Sequence, residues 1–144
     1  MEIHVKHLLD SYYNVVGEQL ITRESIEQDY LNIEKSDFVV VSHGTEVDPI
    51  LNYGNQKALA LWETDWNTFI QTPSSKTAEA IHRDERKKML QEAEKEGYIN
   101  NYNGIRISIT GKRFYIQGAL VWNVFDVNGN NIGQAATFSS ISYL

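Results

Sequence analysis

The first twenty residues carry apolar side chains at spacings of three and four. These positions are Val5, Leu8, Leu9, Tyr12, Val15, Val16 and Leu20. Such spacing puts one apolar face along a helix, so the sequence predicts an amphipathic helix from Ile3 to Leu20. A second helix is predicted from Glu24 or Ser25 to Ile33. We treat residues 1–35 as an N-terminal helical extension that must bury its apolar face against the domain or against a second copy.

Two short apolar strands and a group of helices follow this extension. Phe38 begins a β-branched run to Val41, and a second short strand from Ile50 to Tyr53 follows the Asp48-Pro49 turn. Asn55 is suited to cap the next helix, because its side chain can accept from a free backbone N–H. The predicted helices are Gln56–Trp62, Asp65–Ile70 and Thr77–Glu96, the last of which ends at Gly97.

The remaining chain alternates apolar and polar residues in three segments separated by turns. We predict strands around Ile105–Ile109, from Phe114 to Phe125 and from Ile132 to Phe138. The order of two strands, three helices and three strands is not a βαβ repeat, which disfavours a doubly wound parallel sheet. The sequence therefore predicts an α+β domain over residues 36–144, with a five-stranded antiparallel sheet and short helices on one face.

Composition and charge exclude several classes of protein. Thirteen basic and nineteen acidic residues give a net charge of −6, the wrong sign for a protein that binds nucleic acid through phosphates. The basic run at 83–88 contains acidic residues, so we interpret it as the solvated face of a helix. The absence of cysteine excludes disulfides, cysteine zinc ligands and a flavin-cysteinyl photoadduct. No apolar run approaches the ~20 residues of a membrane span, so a cytoplasmic protein without membrane or nucleic-acid partners is predicted.

Several blocks of the sequence resemble the bacterial single-domain members of the MEKHLA family. The resemblance covers roughly residues 36–139 and is carried by SHGTEVDPILNYGNQKALALWE, PSSKTAEAIHRDERKKML, GYINNYNGIRISITGKRFYIQGALVWNVFD and GQAATFS. It implies a PAS-like fold, and an Asn directly after a short second strand is in keeping with it. The family is similar to the C-terminal regions of plant class III homeodomain leucine-zipper proteins, for which a role in sensing or dimerisation is supposed. This chain has no homeodomain-like basic helix and no leucine zipper, so DNA binding does not carry over.

A PAS-like sheet implies a small, mostly apolar cavity between the sheet and the helices, where a ligand could bind. Aromatic and polar side chains near this cavity are the candidate ligand-binding residues: His43, Asn52, Tyr53, Asn55, Trp62, Trp66, Tyr102, Arg106, Phe114, Trp122 and Phe138. The alternative is that the rings simply fill the core. Arg106 and Arg113 could hold a carboxylate if they share one face of a hairpin, or could instead pair with surface acids.

The chain offers no convincing catalytic or metal-binding set. Ser42, His43 and Asp48 have the residue types of a catalytic triad, but adjacent residues of a strand point to opposite faces. His4 and His7 share a helix face without a third ligand, so no metal site is assigned. His82 lies on the long predicted helix, where some PAS sensors carry a haem ligand.

These observations predict a non-enzymatic PAS-like sensory or interaction domain that binds an unidentified small molecule or protein partner. The cofactor is unknown. One alternative is a small enzyme that acts on an organic acid or ring compound with His43 as base, and another is a haem-binding sensor. We also predict a homodimer through Ile3–Leu20, because that apolar face is long for a terminal helix.

Overall fold

A computed structural model describes residues 1–79 and 82–144 of the chain. In these residues the α-helices are α1 (Glu2–Val16), α2 (Ile26–Glu34), α3 (Gln56–Leu61), α4 (Trp66–Phe69) and α5 (Arg83–Glu96), with a 3-10 helix at Ser74–Thr77. The strands are β1 (Val39–His43), β2 (Leu51–Gly54), β3 (Tyr98–Ile107), β4 (Arg113–Phe125), β5 (Asn131–Phe138) and β6 (Ser140–Tyr143).

The strands form one antiparallel sheet in the order β2-β1-β5-β4-β3. This confirms the predicted α+β fold with five antiparallel strands and helices inserted between the second and third. The sequence did not indicate β6, which pairs with the first half of β4, with Tyr143 opposite Phe114. The segment is rich in serine and has no clear alternation of apolar residues, so its strand character comes from the free edge of β4 beside it.

The N-terminal helices cover one face of the sheet, which we call the back face. Val5, Leu8 and Leu9 of α1 are fully buried there with Trp122 of β4. The Trp122 indole N–H donates to the carbonyl of Leu8 at 3.1 Å. The apolar face of α1 is thus buried within the chain, which removes the reason for the homodimer prediction but does not test the homodimer itself. The division of the chain at residue 35 also stays a prediction.

The helix α1 is shorter than predicted. Gly17 adopts a left-handed conformation with φ of 87°, and its backbone N–H donates to the carbonyl of Tyr13 at 2.9 Å. The helix therefore ends at Val16 and does not continue to Leu20. Leu20 still packs against the back-face cluster from the loop that follows.

The opposite face, which we call the front face, packs against α3, α4, α5 and the 3-10 helix. Side chains of β1 alternate between the two faces: Val39 and Val41 pack with the α3 residues, whereas Val40 packs with α1. The front-face core contains Trp62, whose ring lies edge-on to Phe114 at 5.4 Å between ring centres. The helices on this face position the cavity described below.

The long helix α5 begins later than predicted and buries a residue that we expected to be solvated. Residues 74–77 form the 3-10 helix, and Ala78 is extended with φ of −125° and ψ of 140°. The Arg83 side chain donates to the carbonyl of Ala78 at 3.1 Å, which stabilises this non-helical turn. Arg86 is only 7% exposed. The end of α5 at Glu96, followed by Gly97 with φ of 92°, agrees with the prediction. Ile81, which falls within the predicted helix Thr77–Glu96 and has an apolar side chain, lies outside the described residues.

The end of β1 is held unusually close to β5. Gly133 has φ of 149°, and a Cβ at this position would lie 1.9 Å from the carbonyl oxygen of His43. A residue with a side chain would collide with the main chain of β1, so only glycine fits this approach.

No helix of residues 1–79 and 82–144 is both long and apolar enough to cross a membrane.

Candidate functional site

A cavity of about 80 Å³ lies between the front face of the sheet and the helices. We call it the front cavity. Its walls are mostly apolar and include Val41, Leu51, Met89, Ile116, Ala119, Val121 and Phe138. Six larger polar or charged side chains also line it: His43, Trp62, Arg86, Tyr102, Arg106 and Gln134. A mostly apolar space with a few polar groups is the usual form of a small-molecule site.

His43 is a neutral hydrogen-bond acceptor in this cavity. Its Nδ1 lies 2.9 Å from the carbonyl of Gly44, so Nδ1 carries the proton and donates to that oxygen. Burial lowers the pKa of His43, despite that hydrogen bond, and the positive charge of Arg86 acts in the same direction as burial. Its Nε2 is therefore an unprotonated acceptor, and it is buried with no partner among the described residues.

Trp62 presents a second unpaired polar atom. The residue is 4% exposed at the C-terminal end of α3, and its indole Nε1 is buried with no partner in the described chain. The indole N–H can only donate, whereas His43 Nε2 can only accept in its neutral form. Buried polar atoms without partners are rare in folded proteins and call for an explanation such as a bound molecule or water.

Arg106 reaches the cavity from β3 and is 8% exposed. Its Nη1 donates to the carbonyl of Ile105 at 2.8 Å, and its Nη2 donates to the Tyr102 hydroxyl at 3.2 Å. The guanidinium also lies 5.5 Å from the centre of the Tyr102 ring. Gly104 makes this arrangement possible, because a Cβ there would lie 2.4 Å from the Tyr102 hydroxyl. Arg106 is thus held in place by contacts with Ile105 and Tyr102 of its own strand, β3.

Arg86 reaches the same cavity from α5 and donates to the Ser74 hydroxyl of the 3-10 helix. Burial lowers the pKa of Arg86 to about 10, and the charge of Arg106 contributes in the same direction. Neither arginine has a carboxylate within 4 Å in the described part of the chain. By contrast, the partly buried Arg23 lies 2.8 Å from Asp29 and 2.9 Å from Asp10. The front cavity therefore holds two buried cations that no acidic side chain neutralises.

A surface groove between α5 and the loop at residues 44–49 lies beside the front cavity. The two spaces share His43, Arg86, Leu90 and Gln134 in their linings. Gln134 is fixed there, since its Nε2 donates to the carbonyl of Leu90 and to Oδ1 of Asn123, each at 3.0 Å. His43 and Arg86 therefore border both the groove and the front cavity.

The MEKHLA domain pattern matches residues 2–143 of this chain. The chain belongs to the MEKHLA domain family. This confirms the resemblance, and the match extends through both N-terminal helices. A search of curated proteins gives no match for this MEKHLA domain.

Solved structures similar to this MEKHLA domain are PAS and LOV domains. The PAS domain of a protein from Colwellia psychrerythraea has a TM-score of 0.69 at 11% identity, covering 83% of this chain and 96% of that one. An RNA-binding light-oxygen-voltage receptor has a TM-score of 0.65 at 10% identity, covering 83% of this chain and 35% of that one. The PAS domain, in complex with ethanol, of a LuxR-family transcriptional regulator from Burkholderia thailandensis has a TM-score of 0.58 at 11% identity, covering 80% and 96%. At identities this low, the structural similarity shows the fold alone, and it confirms the PAS-like fold.

The structure of the MEKHLA domain brings some of the predicted ligand-binding residues to the front cavity. These are His43, Trp62, Tyr102, Arg106 and Phe138. Phe114 lies nearby in the front-face core, where it packs against Trp62 without lining the cavity. Whether any of these residues binds a ligand stays a prediction.

The other predicted residues lie away from the cavity. Tyr53, Trp66 and Trp122 pack in the back-face cluster with α1, because their strand or helix positions put their side chains behind the sheet. Asn52 accepts from the Ser42 hydroxyl at a bulge in β2. Asn55 is fully buried, and its side chain caps α3 and bridges to residues before β1. These five residues have structural contacts that account for them.

Arg113 does not share the cavity with Arg106. It lies opposite Ile107 in the ladder, and its side chain is 55% exposed and 3.8 Å from Glu79. The second arginine of the cavity is Arg86, which sequence reasoning missed. The signal was present, because Arg86, Met89 and Ala93 have the spacing of one helix face and all three are buried.

The other chemical alternatives find little support in the geometry. The Ser42 hydroxyl lies 2.9 Å from Nε2 of His4 on the back face, and Asp48 accepts from Ser75, so no triad with His43 is assembled. His82 lies just before α5 and does not line the cavity. Within residues 1–79 and 82–144, no group of three His, Asp or Glu side chains could hold a metal ion.

Proposed function

We propose that this MEKHLA domain is a non-enzymatic sensory domain that binds a small molecule in the front cavity. The observation that carries the proposal is the pair of buried, unpartnered atoms, His43 Nε2 and Trp62 Nε1, which belong to two residues that line the cavity. Each unmet hydrogen bond of this kind costs about 1–3 kcal/mol. A ligand that supplies a donor to His43 and an acceptor to Trp62 would offset that cost.

The contribution of helix α5 to the cavity lining supports a sensory role. Helix α5 contributes Arg86, Met89 and Leu90 to the lining, so a bound molecule would contact this helix directly. A ligand shifts only equilibria in which it contacts the two states differently, and we propose that the packing of α5 against the sheet is such an equilibrium. We propose α5 and the adjacent loop at residues 44–49 as the segment whose position reports occupancy to a partner.

Native mass spectrometry combined with a thermal-shift screen of metabolites tests this proposal. Ala119 lies in the cavity wall and is 2% exposed, so Ala119→Leu fills part of the cavity. Ala60→Leu, at an exposed position of α3, is the matched control. We expect a bound small molecule or a rise in Tm in the parent and in Ala60→Leu, and its loss in Ala119→Leu. Absence of any bound compound and of any rise in Tm would leave only a protein-interaction role.

A small enzyme is the second candidate, and the neutral state of His43 favours it. Its Nε2 is unpaired in the described chain and could accept a proton from a molecule in the cavity, and Arg106, which lines the same cavity, could orient an organic acid. Replacing His43 by Gln keeps a polar side chain and removes the base. Turnover by the parent with retained ligand affinity but no turnover in His43→Gln would establish the enzyme; the absence of turnover in the parent would refute it.

The predicted homodimer remains part of the proposal, although the face of α1 available for it is small. Ile3 and Tyr13 are 57% and 48% exposed, while the main apolar stripe is buried in the chain. We expect Tyr13→Glu to shift a dimer to a monomer in light scattering. A parent protein that is monomeric at high concentration would contradict this prediction.

A further inference from the structure

The two arginines of the front cavity are buried without a carboxylate of the described residues in contact. Arg86 and Arg106 are 7% and 8% exposed, and the charge of each is buried in a space with mostly apolar walls. Removing a charge from water costs several kcal/mol when no opposite charge compensates it. In the described chain, no acidic side chain lies within 4 Å of either guanidinium group to compensate its charge directly.

The internal hydrogen bonds leave most of the donors of the two guanidinium groups unused. A guanidinium group has five N–H donors. In the described chain, Arg86 donates to Ser74, and Arg106 donates to Ile105 and Tyr102. The remaining donors form the planar forks that bind two oxygens of one anion side by side.

Asp48 is the acidic residue that could be thought to neutralise Arg86. Its charge acts on Arg86, but its carboxylate lies beyond 4 Å from that guanidinium and accepts from the Ser75 hydroxyl at 3.1 Å. Asp48 belongs to the exposed loop at residues 44–49, which lines the groove beside α5. Asp48 therefore compensates part of the Arg86 charge from a distance, but it contacts neither guanidinium group.

We propose that the front cavity binds a small carboxylate, with Arg86 and Arg106 in contact with the carboxylate oxygens. This inference rests on the proposed function and adds the chemical class of its ligand. His43 Nε2 is then the acceptor for a hydroxyl of the ligand, and the apolar wall of Ile116 and Phe138 contacts its hydrocarbon part. The cavity volume of about 80 Å³ favours a short hydroxy acid over an acid that carries a ring.

The test compares acids with their neutral amides in the full-length protein. Lactate and benzoate, as sodium salts, are measured beside lactamide and benzamide at one ionic strength set with sodium chloride. The variants are Arg86→Met, Arg106→Met and, as control, Arg113→Met, whose guanidinium is exposed and paired with Glu79. Thermal shift gives the response, and calorimetric titration gives Kd.

We expect at least one acid, and neither amide, to raise the Tm of the parent and of Arg113→Met. Loss of one arginine should weaken binding about 30-fold or more, since breaking a buried charge contact costs about 2 kcal/mol or above. Without ligand, both cavity variants should be as stable as the parent or more stable, because methionine removes an uncompensated buried charge. A purely structural role for the arginines would instead lower the Tm of both variants.

The outcomes separate the two proposals. If the amides raise Tm as much as the acids, the carboxylate inference fails while the sensory proposal stands. If the acids bind equally well to all three variants, the anion does not contact the cavity arginines and the inference fails. If no compound binds, no small molecule is seen by native mass spectrometry, and both cavity variants lose stability, the carboxylate inference and the small-molecule proposal fail together.

Discussion

The replacement Asn55→Ala should destabilise the fold strongly, although sequence reasoning placed this residue in the ligand site. Asn55 is fully buried, and its Oδ1 accepts from the backbone N–H of Ala58 at 3.1 Å and of Val40 at 3.2 Å. Its Nδ2 donates to the carbonyls of Ile33 and Phe38, each at 2.9 Å. One side chain thus joins the end of α2, the start of β1 and the start of α3.

The size of the effect follows from these contacts. Loss of the N-cap of α3 costs about 1 kcal/mol. The unmet Val40 N–H and the weakened contacts to the two carbonyls each add to this, at about 1–3 kcal/mol for a fully unmet group. The Ser36 hydroxyl also donates to the carbonyls of Ile33 and Phe38, so they do not lose every donor. We expect a total loss of about 3 kcal/mol in the free energy of unfolding.

Urea unfolding followed by tryptophan fluorescence measures this loss. The matched control is Asn67→Ala in α4, where the side chain is exposed and makes no hydrogen bond, and its effect should stay within about 0.5 kcal/mol. Asn55→Ser restores a capping oxygen without the reach to Ile33, so it should recover only about 1 kcal/mol. A loss below about 1 kcal/mol for Asn55→Ala would refute the reasoning, since solvent would then replace the whole network.

Further predictions concern the back face. Leu8→Ala should lower the free energy of unfolding by about 3 kcal/mol, whereas Ile3→Ala at an exposed position of the same helix should change it little; urea titration of both decides. Burial lowers the pKa of His4 from 6.5 to about 4, so the unfolded chain binds the proton first as the pH falls. Stability should therefore decrease by about 2 kcal/mol between pH 6.5 and pH 4, and His4→Gln should flatten this decrease in a pH series of unfolding curves. Tyr53→Phe removes the 2.6 Å hydrogen bond to Glu34 and should cost about 2 kcal/mol without changing ligand affinity, as calorimetry can check.

Local signals in the sequence were sufficient for most elements of the fold. The β-branched run before His43 predicted β1, and the position of Asn55 directly after β2 predicted the cap of α3, because both depend on residues close in the chain. The predicted start of α5 at Thr77 was wrong. The Arg83 side chain donates to the carbonyls of Ser75 and Ala78, and these hydrogen bonds compete with helix formation at that point of the chain. The strand β6 depends on a distant edge and has no local signal.

The candidate site was harder to predict because its residues depend on which face of the sheet each strand position occupies. Trp122 and Val121 are neighbours in β4, and a shift of one position decides that Val121 lines the cavity while Trp122 packs on α1. Arg113 and Arg106 are separated in the same way. Arg86 was missed because a basic run was interpreted by its charge, although the helix period already placed it beside Met89.

The contact between Gly133 and His43 has a consequence for altering this protein. A methyl group added at Gly133 would collide with the main-chain oxygen of His43, at the end of β1 and directly before the loop at residues 44–49. The strain would spread β1 from β5 and move the imidazole while leaving every side chain of the front cavity chemically intact. A substitution at position 133 would therefore change the position of His43 without replacing any residue that lines the front cavity.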